Sequence, residues 1–207
     1  MNDMLKEKII RLTQFPYGKR KSNYQSYQLG DEEIDGARDT NKRMDIMNMP
    51  QDMEGLSVLD LGCNLGSICC ESYKRGSNLV MGLDYEKDYI ECAIDLAKYN
   101  NYDITYVQCD LTVIDQTSSI INDFFNNKSI DIVFALSLYK HIRGSLFDVL
   151  NNIPFNKCII ESNNAPQLLQ TPHVQEMIKH IELKKWKWEH INTDNTRSPR
   201  VIFEVTN

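Results

Sequence analysis

The sequence lacks the features that assign a chain to a membrane, a secretory route or a nucleic-acid surface. No apolar run in the 207 residues approaches the roughly 20 that a membrane-spanning helix needs. The first residues, MNDMLKEKIIRL, contain no apolar stretch followed by a small-residue cleavage site, so no secretory signal is predicted. The 29 acidic residues outnumber the 23 lysines and arginines, and the net charge of −6 disfavours wide contact with a phosphate backbone. We therefore expect a soluble, cytoplasmic protein.

The six cysteines form no metal-binding pattern. None belongs to a CxxC pair, and no histidine lies near them at zinc-finger spacing. Most lie in apolar segments, where a reduced thiol behaves as a small hydrophobic side chain. We expect buried, reduced cysteines and no structural metal. They are Cys63, Cys69, Cys70, Cys92, Cys109 and Cys158.

The pattern of apolar residues divides the chain at about residue 55. Residues 1–54 form a polar N-terminal arm with little strand pattern, expected to be a helical lid. Over residues 55–207, short apolar runs alternate with helical segments, which predicts βαβ units and a doubly wound, mostly parallel sheet. The last two runs flank the polar segment NTDNTRSP, which is typical of an antiparallel hairpin. The predicted fold is α/β with a seven-stranded sheet.

The same periodicity predicts where each element lies. Strands are predicted over residues 57–62, 78–84, 104–110, 131–137, 158–162, 186–191 and 200–206. Helices are predicted over residues 4–12, 39–49, 66–75, 86–99, 115–126, 143–152 and 172–181. Between the two arm helices, a break at residues 15–18 (FPYG) and a loop-rich stretch around residues 24–36 are expected.

A glycine-containing turn, DLGCNLG at residues 60–66, follows the first strand of the body and opens a helix. A doubly wound sheet binds nucleotides at such a position. Gly62 permits a tight turn and a close approach of the backbone to a ligand, and Gly66 lets the helix pack near the strand. This turn alone is compatible with NAD, FAD or S-adenosylmethionine.

Three aspartates at the ends of successive strands narrow the choice of ligand. Asp60 lies in the turn, where a carboxylate would repel the pyrophosphate of a dinucleotide but attract the ammonium group of S-adenosylmethionine. Asp84, at the end of the second strand, can accept both ribose hydroxyls. Asp110, at the end of the third, can accept from the adenine amino group, with the Leu111 amide on a ring nitrogen. Because these strand ends share one crevice, S-adenosylmethionine is the predicted cofactor.

On these motifs, residues 56–207 resemble the class I, Rossmann-like S-adenosylmethionine-dependent methyltransferases. VLDLGCNLG is similar to the first motif of that family, and GLD, which ends at Asp84, to the second. The resemblance implies that Asn64, which stands where glycine is commoner, directs its side-chain amide toward the cofactor. DIVFALSLYKHI, residues 131–142, resembles the fourth-strand segment beside the reactive methyl group, which implies that Leu136 and Ser137 line the cofactor pocket.

Three residues after the fourth strand are expected at the mouth of that pocket, where an acceptor binds. They are Tyr139, Lys140 and His141. His141 is the candidate general base, because imidazole ordinarily titrates near neutrality; a helix-capping or packing role is the alternative. Many methyl transfers need little acid–base help, because alignment of the nucleophile with the methyl group supplies much of the acceleration.

The arm resembles a narrower set of enzymes, through YGKRKSNYQSYQLG and GARDTNKRMDIM followed by DLGCN and LSLYKH. RNA 5'-phosphate methyltransferases, methyltransferases that end O-antigen glycans and tRNA wobble-uridine carboxymethyl transferases share this order. The resemblance implies that Tyr24 or Tyr27 and Arg43, or Arg38 in its place, close over the cofactor. An arginine there can pair with the methionine carboxylate; a solvated arginine is the alternative. The capping enzymes carry tryptophan at the position of His141, so their substrate does not carry over.

The leading hypothesis is a methyltransferase that acts on an oxygen of a small molecule or glycan. RNA, at a 5'-phosphate or in tRNA, is the alternative acceptor, but the basic clusters at residues 19–21 and 184–187 are interpreted as solvated faces. A nicotinamide-dependent oxidoreductase is disfavoured by Asp60 and by the lack of a third glycine after Gly66, where Ile68 and Cys69 lie. A non-catalytic binding module with the same fold is the third alternative.

Overall fold

The computed structural model describes residues 2–13, 25–36, 38–194 and 199–207. The predicted helix break at residues 15–18, the basic residues 19–21 and Tyr24 lie outside these ranges. The strands are β1 (Tyr27–Leu29), β2 (Glu32–Ile34), β3 (Ser57–Leu61), β4 (Leu79–Asp84), β5 (Thr105–Gln108), β6 (Ile130–Leu136), β7 (Phe155–Glu161), β8 (Lys187–Asp194) and β9 (Arg200–Thr206). The helices are α1 (Asn2–Thr13), α2 (Thr40–Ile46), α3 (Ser67–Lys74), α4 (Lys87–Tyr99), α5 (Ile114–Phe124), α6 (Tyr139–Ile142), α7 (Ser145–Asn151) and α8 (Pro172–Leu183).

The main sheet has seven strands in the order β5-β4-β3-β6-β7-β9-β8. Strands β3 to β7 are parallel to one another, and β9 is antiparallel to both β7 and β8. The predicted doubly wound sheet with a C-terminal antiparallel hairpin is therefore confirmed. The strand order changes direction at β3, so the carboxyl ends of β3 and its neighbours form the edge at which such folds bind ligands.

Helices cover both faces of the sheet, which explains the continuous apolar runs of the central strands. Side chains of α5, α7 and α8 pack on one face, and those of α2, α3 and α4 pack on the other. All six cysteines are buried free thiols, as predicted. Among the helices of the described ranges, none is both long and apolar enough to cross a membrane.

The arm differs from its prediction in two places. The stretch around Tyr27 is not loop but an antiparallel hairpin of β1 and β2, whose turn uses Gly30 at φ 63°. Strands of three residues carry too little alternation to be recognised, and packing stabilises these, because Tyr27 and Leu29 join a buried cluster with α1 and α4. Helix α2 is shorter than predicted, since it begins after the N-cap Asp39 and ends at Ile46.

Gly66 lies at the start of α3, where this helix packs closely against the side chain of Tyr106. It has φ 76°, and a Cβ there would lie 2.5 Å from Cζ of Tyr106 and closer still to its hydroxyl. Gly55 has a similar φ of 75° but nothing within 4 Å of a built Cβ. We expect Gly66→Ala to lower the free energy of unfolding by about 1–3 kcal/mol more than Gly55→Ala, because both share the backbone strain and only Gly66 is overpacked. Urea denaturation measures both; equal losses would contradict the expectation.

Candidate active site

A cavity of about 750 Å³ opens along the carboxyl edge of the sheet. Its volume lies within the range of roughly 300–1,000 Å³ typical of small-molecule and cofactor sites. The arm contributes Leu12, Thr13 and Gln25 to its wall. The sequence-predicted residues that line it are Arg43, Asp60, Gly62, Asn64, Asp84, Asp110, Leu111, Leu136, Ser137 and His141.

The glycine-containing turn is held open toward the cavity by backbone conformation and by Asp84. Gly62 and Asn64 both have positive φ, at 77° and 54°, and asparagine is among the few non-glycine residues that tolerate this region. The backbone N–H of Asn64 donates to Asp84 Oδ2 at 2.8 Å, and the backbone N–H of Glu86 donates to Asp84 Oδ1 at 3.0 Å. Asp84 thus shapes the turn, in addition to facing the cavity.

Asp60 is a buried carboxyl in the cavity wall, only 3% exposed. Burial raises its pKa to about 7, the nearby Arg43 opposes that rise, and Asp84 adds to it. Its one hydrogen-bond contact among the described residues is a long one, from Cys69 Sγ at 3.9 Å. Asp60 is therefore poised to ionise fully when a cation enters the cavity.

Asp110 lies at the opposite, exposed end of the row of aspartates. Its Oδ1 accepts from the Thr112 hydroxyl at 2.7 Å and from the Thr112 amide at 2.9 Å. These two bonds lower its pKa, so the side chain is an ionised acceptor in a fixed position. Asp60 is the last residue but one of β3, Asp84 ends β4 and Asp110 comes two residues after β5, so all three lie at the strand ends that the sequence predicted.

Two predicted cofactor residues do not line the cavity that the described residues form. Tyr27 is buried, and its hydroxyl donates to Asn64 Oδ1 at 3.1 Å, so it fixes the Asn64 side chain from behind. Gly66 is packed against Tyr106. Direct contact of either residue with a cofactor stays a prediction. In the structure, both residues lie behind the glycine-containing turn and support it.

The structure places Tyr139 in the core rather than at the mouth, whereas a position of Lys140 at the mouth stays a prediction. Tyr139 is 2% exposed in the core, its hydroxyl bonds Glu176 Oε2 at 3.1 Å, and burial raises its pKa to about 12. Lys140 is exposed and, like Tyr139, is absent from the described lining residues. The reason is helical geometry, because residues two positions apart on α6 point in nearly opposite directions, and His141 takes the cavity side.

Sequence reasoning missed a buried ion-pair cluster beside the cavity, here called the arginine–glutamate cluster: Arg38, Arg43, Glu161 and Arg200. Glu161 Oε2 lies 2.8 Å from Arg200 Nη1 and 3.2 Å from Arg43 Nη2, and Arg38 Nη1 lies 3.9 Å from Oε1. Burial favours a higher pKa for Glu161, but the arginines and a 2.5 Å bond from Ser137 Oγ lower it to about 2. Glu161 is thus a permanent anion.

Of the four cluster residues, Arg38 and Arg43 were already candidate cofactor residues, and Arg200 alone had no signal in the sequence. Glu161 ends the strand CIIES, so it is a fourth acid at a strand end, and this pattern was available. Arg200 opens β9, and its approach to Glu161 depends on β9 pairing with β7 rather than lying outside β8. Ser137, held at φ 58° at the end of β6, and Asn163 also line the cavity next to it.

The fold and this cavity define a class I, Rossmann-like methyltransferase domain. The profile of the family described as Methyltransferase domain matches residues 52–205, and the chain belongs to this family.

Curated relatives align with parts of the chain. It is 37% identical over 60 residues to the ribosomal protein L11 methyltransferase of Dictyoglomus thermophilum, over 29% of this chain and 20% of that protein. It is 31% identical over 100 residues to the ubiquinone biosynthesis O-methyltransferase of Rickettsia canadensis, over 48% of this chain and 38% of that protein. The chain thus spans well under half the length of these two relatives.

Solved structures share the fold at low sequence identity. Magnesium protoporphyrin IX methyltransferase from Synechocystis PCC 6803 with bound SAM gives a TM-score of 0.61 at 15% identity, covering 81% of this chain and 78% of that one. The bifunctional kinase-methyltransferase WbdD gives a TM-score of 0.65 at 16% identity, covering 100% of this chain and 46% of that one.

Proposed function

We propose that the protein is an S-adenosylmethionine-dependent methyltransferase that methylates an oxygen atom of a small molecule or glycan. The observation that carries this proposal is the row of three carboxylates at the carboxyl ends of β3, β4 and β5 along a single cavity. A cationic cofactor without phosphates suits such a row, whereas a dinucleotide would place its pyrophosphate against Asp60. The O-methyltransferase name of the Rickettsia relative supports the oxygen acceptor.

The cofactor is proposed to lie along the row with its adenine toward Asp110 and Leu111. Its ribose hydroxyls then meet Asp84, and its amino group meets Asp60 beside Gly62 and Asn64. The cofactor, when bound, supplies a methyl group on a cationic sulfur. The arm, residues 1–54, is proposed to act as the lid, since it already contributes to the cavity wall.

Arg43 is proposed to hold the methionine carboxylate. Its side chain is buried and lines the cavity, and one nitrogen, Nη2, bonds Glu161. Its Nε and Nη1 are buried without a hydrogen-bond partner among the described residues. Buried guanidinium donors without partners are costly, so a carboxylate at this point would remove a penalty as well as add an ion pair.

The reaction is proposed to be an in-line displacement at the end of β6. An acceptor oxygen forms a bond to the methyl carbon, the carbon–sulfur bond breaks, and its electron pair stays on the neutral sulfur of S-adenosylhomocysteine. Leu136, Ser137 and His141 line this part of the cavity. His141 is placed to take the proton when the acceptor is a hydroxyl, and the fixed cavity wall supplies alignment.

The role of His141 predicts a separation of turnover from binding. We expect His141→Ala to lower the rate of methyl transfer by about 100-fold, a usual contribution of a general base, and to change the Kd of S-adenosylhomocysteine less than threefold. His190→Ala is the matched control, because His190 is exposed on β8. Label transfer from isotopic cofactor and calorimetry measure the two quantities. An unchanged rate would show that His141 is not the general base and would favour a capping or packing role.

Mass spectrometry of cell extracts incubated with the protein and isotopically labelled cofactor tests the function as a whole. A labelled small molecule or glycan supports the proposal, whereas labelled RNA favours the alternative acceptor. No contact of the described residues favours RNA, since Lys184, Lys185 and Lys187 lie away from the cavity lining and Lys184 is 3.7 Å from Asp148. Calorimetry with S-adenosylhomocysteine and with NAD decides the cofactor, and binding of NAD alone would overturn the proposal.

A further inference from the structure

Helix α6, which carries His141, is a single turn with little stability of its own. Leu138, at its N-cap position, is apolar and gives no side-chain hydrogen bond to the helix. Ser137 before the helix and Arg143 after it have positive φ angles of 58° and 51°. Non-glycine residues persist in this region only where their surroundings hold them. The position of His141 therefore depends on contacts from outside α6.

Asn163, 23 residues after Lys140, supplies such contacts with both polar atoms of its side-chain amide. Its Oδ1 accepts from the backbone N–H of Lys140 at 2.9 Å, and its Nδ2 donates to the backbone carbonyl of Ser137 at 2.6 Å. The N–H groups in the first turn of a helix have no partner within the helix, so Asn163 takes the place of the missing cap. Its side chain thereby bridges the end of β6 and the start of α6.

Asn163 is itself fixed at the end of the sheet. It follows Ser162, whose N–H donates to the carbonyl of Val201 at 2.8 Å and whose Oγ accepts from the Val201 N–H at 2.9 Å. The carbonyl of Asn163 accepts from Ser162 Oγ at 2.9 Å, and Nε2 of His173 lies 3.4 Å from the same oxygen. Asn163 thus ties the position of α6 to β7 and β9.

Asn163 also lines the cavity, as His141 does. Direct contact with an acceptor is therefore a competing role for its side chain. However, both polar atoms of the amide already bond backbone groups beside α6. An amide suits this pair of partners, because it accepts from an N–H at one atom and donates to a carbonyl at the other. The pairing favours a role in positioning α6.

We propose that Asn163 is a positioning residue for methyl transfer, which holds the His141 imidazole against the acceptor hydroxyl. The inference rests on the proposed function, in which His141 takes the proton of that hydroxyl. Loss of the two bonds from Asn163 frees α6, and a displacement of about 1 Å can cost about 100-fold in rate. Because Asn163 acts through His141, its effect on the rate disappears when His141 is replaced.

A double-mutant cycle between Asn163 and His141 tests the proposal. The rate of label transfer from saturating isotopic S-adenosylmethionine into a cell extract is measured for Asn163→Ala, His141→Ala and the double variant. We expect Asn163→Ala to lower the rate about tenfold or more, and the double variant to stay within about twofold of His141→Ala. The Kd of S-adenosylhomocysteine should change less than about threefold, because Asn163 follows β7, away from β4 and β5.

Hydrogen exchange at the backbone N–H of Lys140 measures the cap without an acceptor. We expect exchange in Asn163→Ala to be about tenfold faster or more than in the unmodified protein. Asn163→Asp serves if Asn163→Ala fails to fold, since it keeps the size of the side chain and the bond to Lys140 but sets a carboxylate against the Ser137 carbonyl. For this variant we expect slow exchange at Lys140 and a lowered rate of transfer.

Asn164→Ala is the matched control, because Asn164 is the exposed neighbour of Asn163 and is absent from the described cavity lining. It should leave the rate of transfer and the exchange at Lys140 unchanged. Unchanged exchange or an unchanged rate in Asn163→Ala would overturn the proposal. Losses that multiply in the double variant would also overturn it, because Asn163 would then act independently of His141. Absence of label transfer by the unmodified protein would instead overturn the proposed function.

Discussion

Replacing Asp84 with alanine is expected to weaken the binding of S-adenosylhomocysteine by about 100-fold. Two hydrogen bonds from ribose hydroxyls to an ionised carboxylate are worth about 1.5 kcal/mol or more each, and 1.4 kcal/mol is a factor of ten in affinity. The variant also releases the amides of Asn64 and Glu86, which Asp84 accepts at 2.8 and 3.0 Å. Part of the loss will therefore come from the turn rather than from the ribose.

A ligand without the ribose hydroxyls separates the two contributions. The unmodified protein should bind the deoxyribose analogue of S-adenosylhomocysteine much more weakly than the parent, whereas Asp84→Ala should bind the two almost equally. Calorimetry with both ligands gives the coupling between Asp84 and the hydroxyls. Asp123→Ala, which removes an exposed carboxylate on α5, is the control. A variant that still discriminates between the ligands as the unmodified protein does would show that Asp84 serves the turn alone.

Replacing Asp60 with asparagine is expected to stabilise the cofactor-free protein at pH 8 and to weaken cofactor binding. Burial raises the pKa of Asp60 from 3.8 to about 7, so the folded state favours the protonated form. The stability that this preference adds is fully present below the unfolded pKa and is lost as pH rises through the folded pKa. Asparagine resembles the protonated form and does not ionise, so the variant keeps this stability as pH rises. The difference in free energy of unfolding between Asp60→Asn and the unmodified protein should therefore be small near pH 4 and reach a few kcal/mol at pH 8.

Urea denaturation of the two proteins across this pH range measures that difference. In thermal unfolding, about 1 kcal/mol would correspond to a shift of roughly 2–4 °C in Tm for a chain of this size. The affinity of the unmodified protein for S-adenosylhomocysteine should rise between pH 6 and pH 8 as Asp60 ionises to meet the ammonium group. Asp60→Asn should lose this rise. Asp123→Asn controls for the removal of an exposed charge. A stability gap that does not change with pH would mean that Asp60 is not the titrating group.

The sequence allowed the body of the fold to be predicted because its strands are long enough to show their periodicity. The runs at β3, β4 and β6 are buried on both faces, and the glycine turn marks where the first strand ends. The position of the three aspartates along one cavity was also predictable, since the carboxyl ends of parallel strands lie at the same edge of the sheet. The arm hairpin did not, because three-residue strands are stabilised by contacts with α1 and α4 rather than by their own pattern.

The side of the cavity proposed for the acceptor was harder to predict, because it depends on tertiary arrangement. About half a turn of helix separates Tyr139 in the core from His141 in the cavity wall, and the sequence LYKHI does not indicate which side chain faces inward. Arg200 and Glu161 are 39 residues apart and meet only because β9 is inserted between β7 and β8. Sequence reasoning therefore predicted more of the cavity lining near β3, β4 and β5 than near β7 and β9.

The insertion of β9 also orders the assembly of the site during synthesis. The aspartates proposed to hold the cofactor lie between residues 60 and 110, whereas the strand that brings Arg200 to Glu161 begins at residue 200. A nascent chain can complete the first part long before the second, and until then Glu161 lacks its nearest cation. Long-range pairing of this kind is slow relative to local structure, so it is expected to be a late event in folding. The arginine–glutamate cluster would then form after the row of aspartates during synthesis.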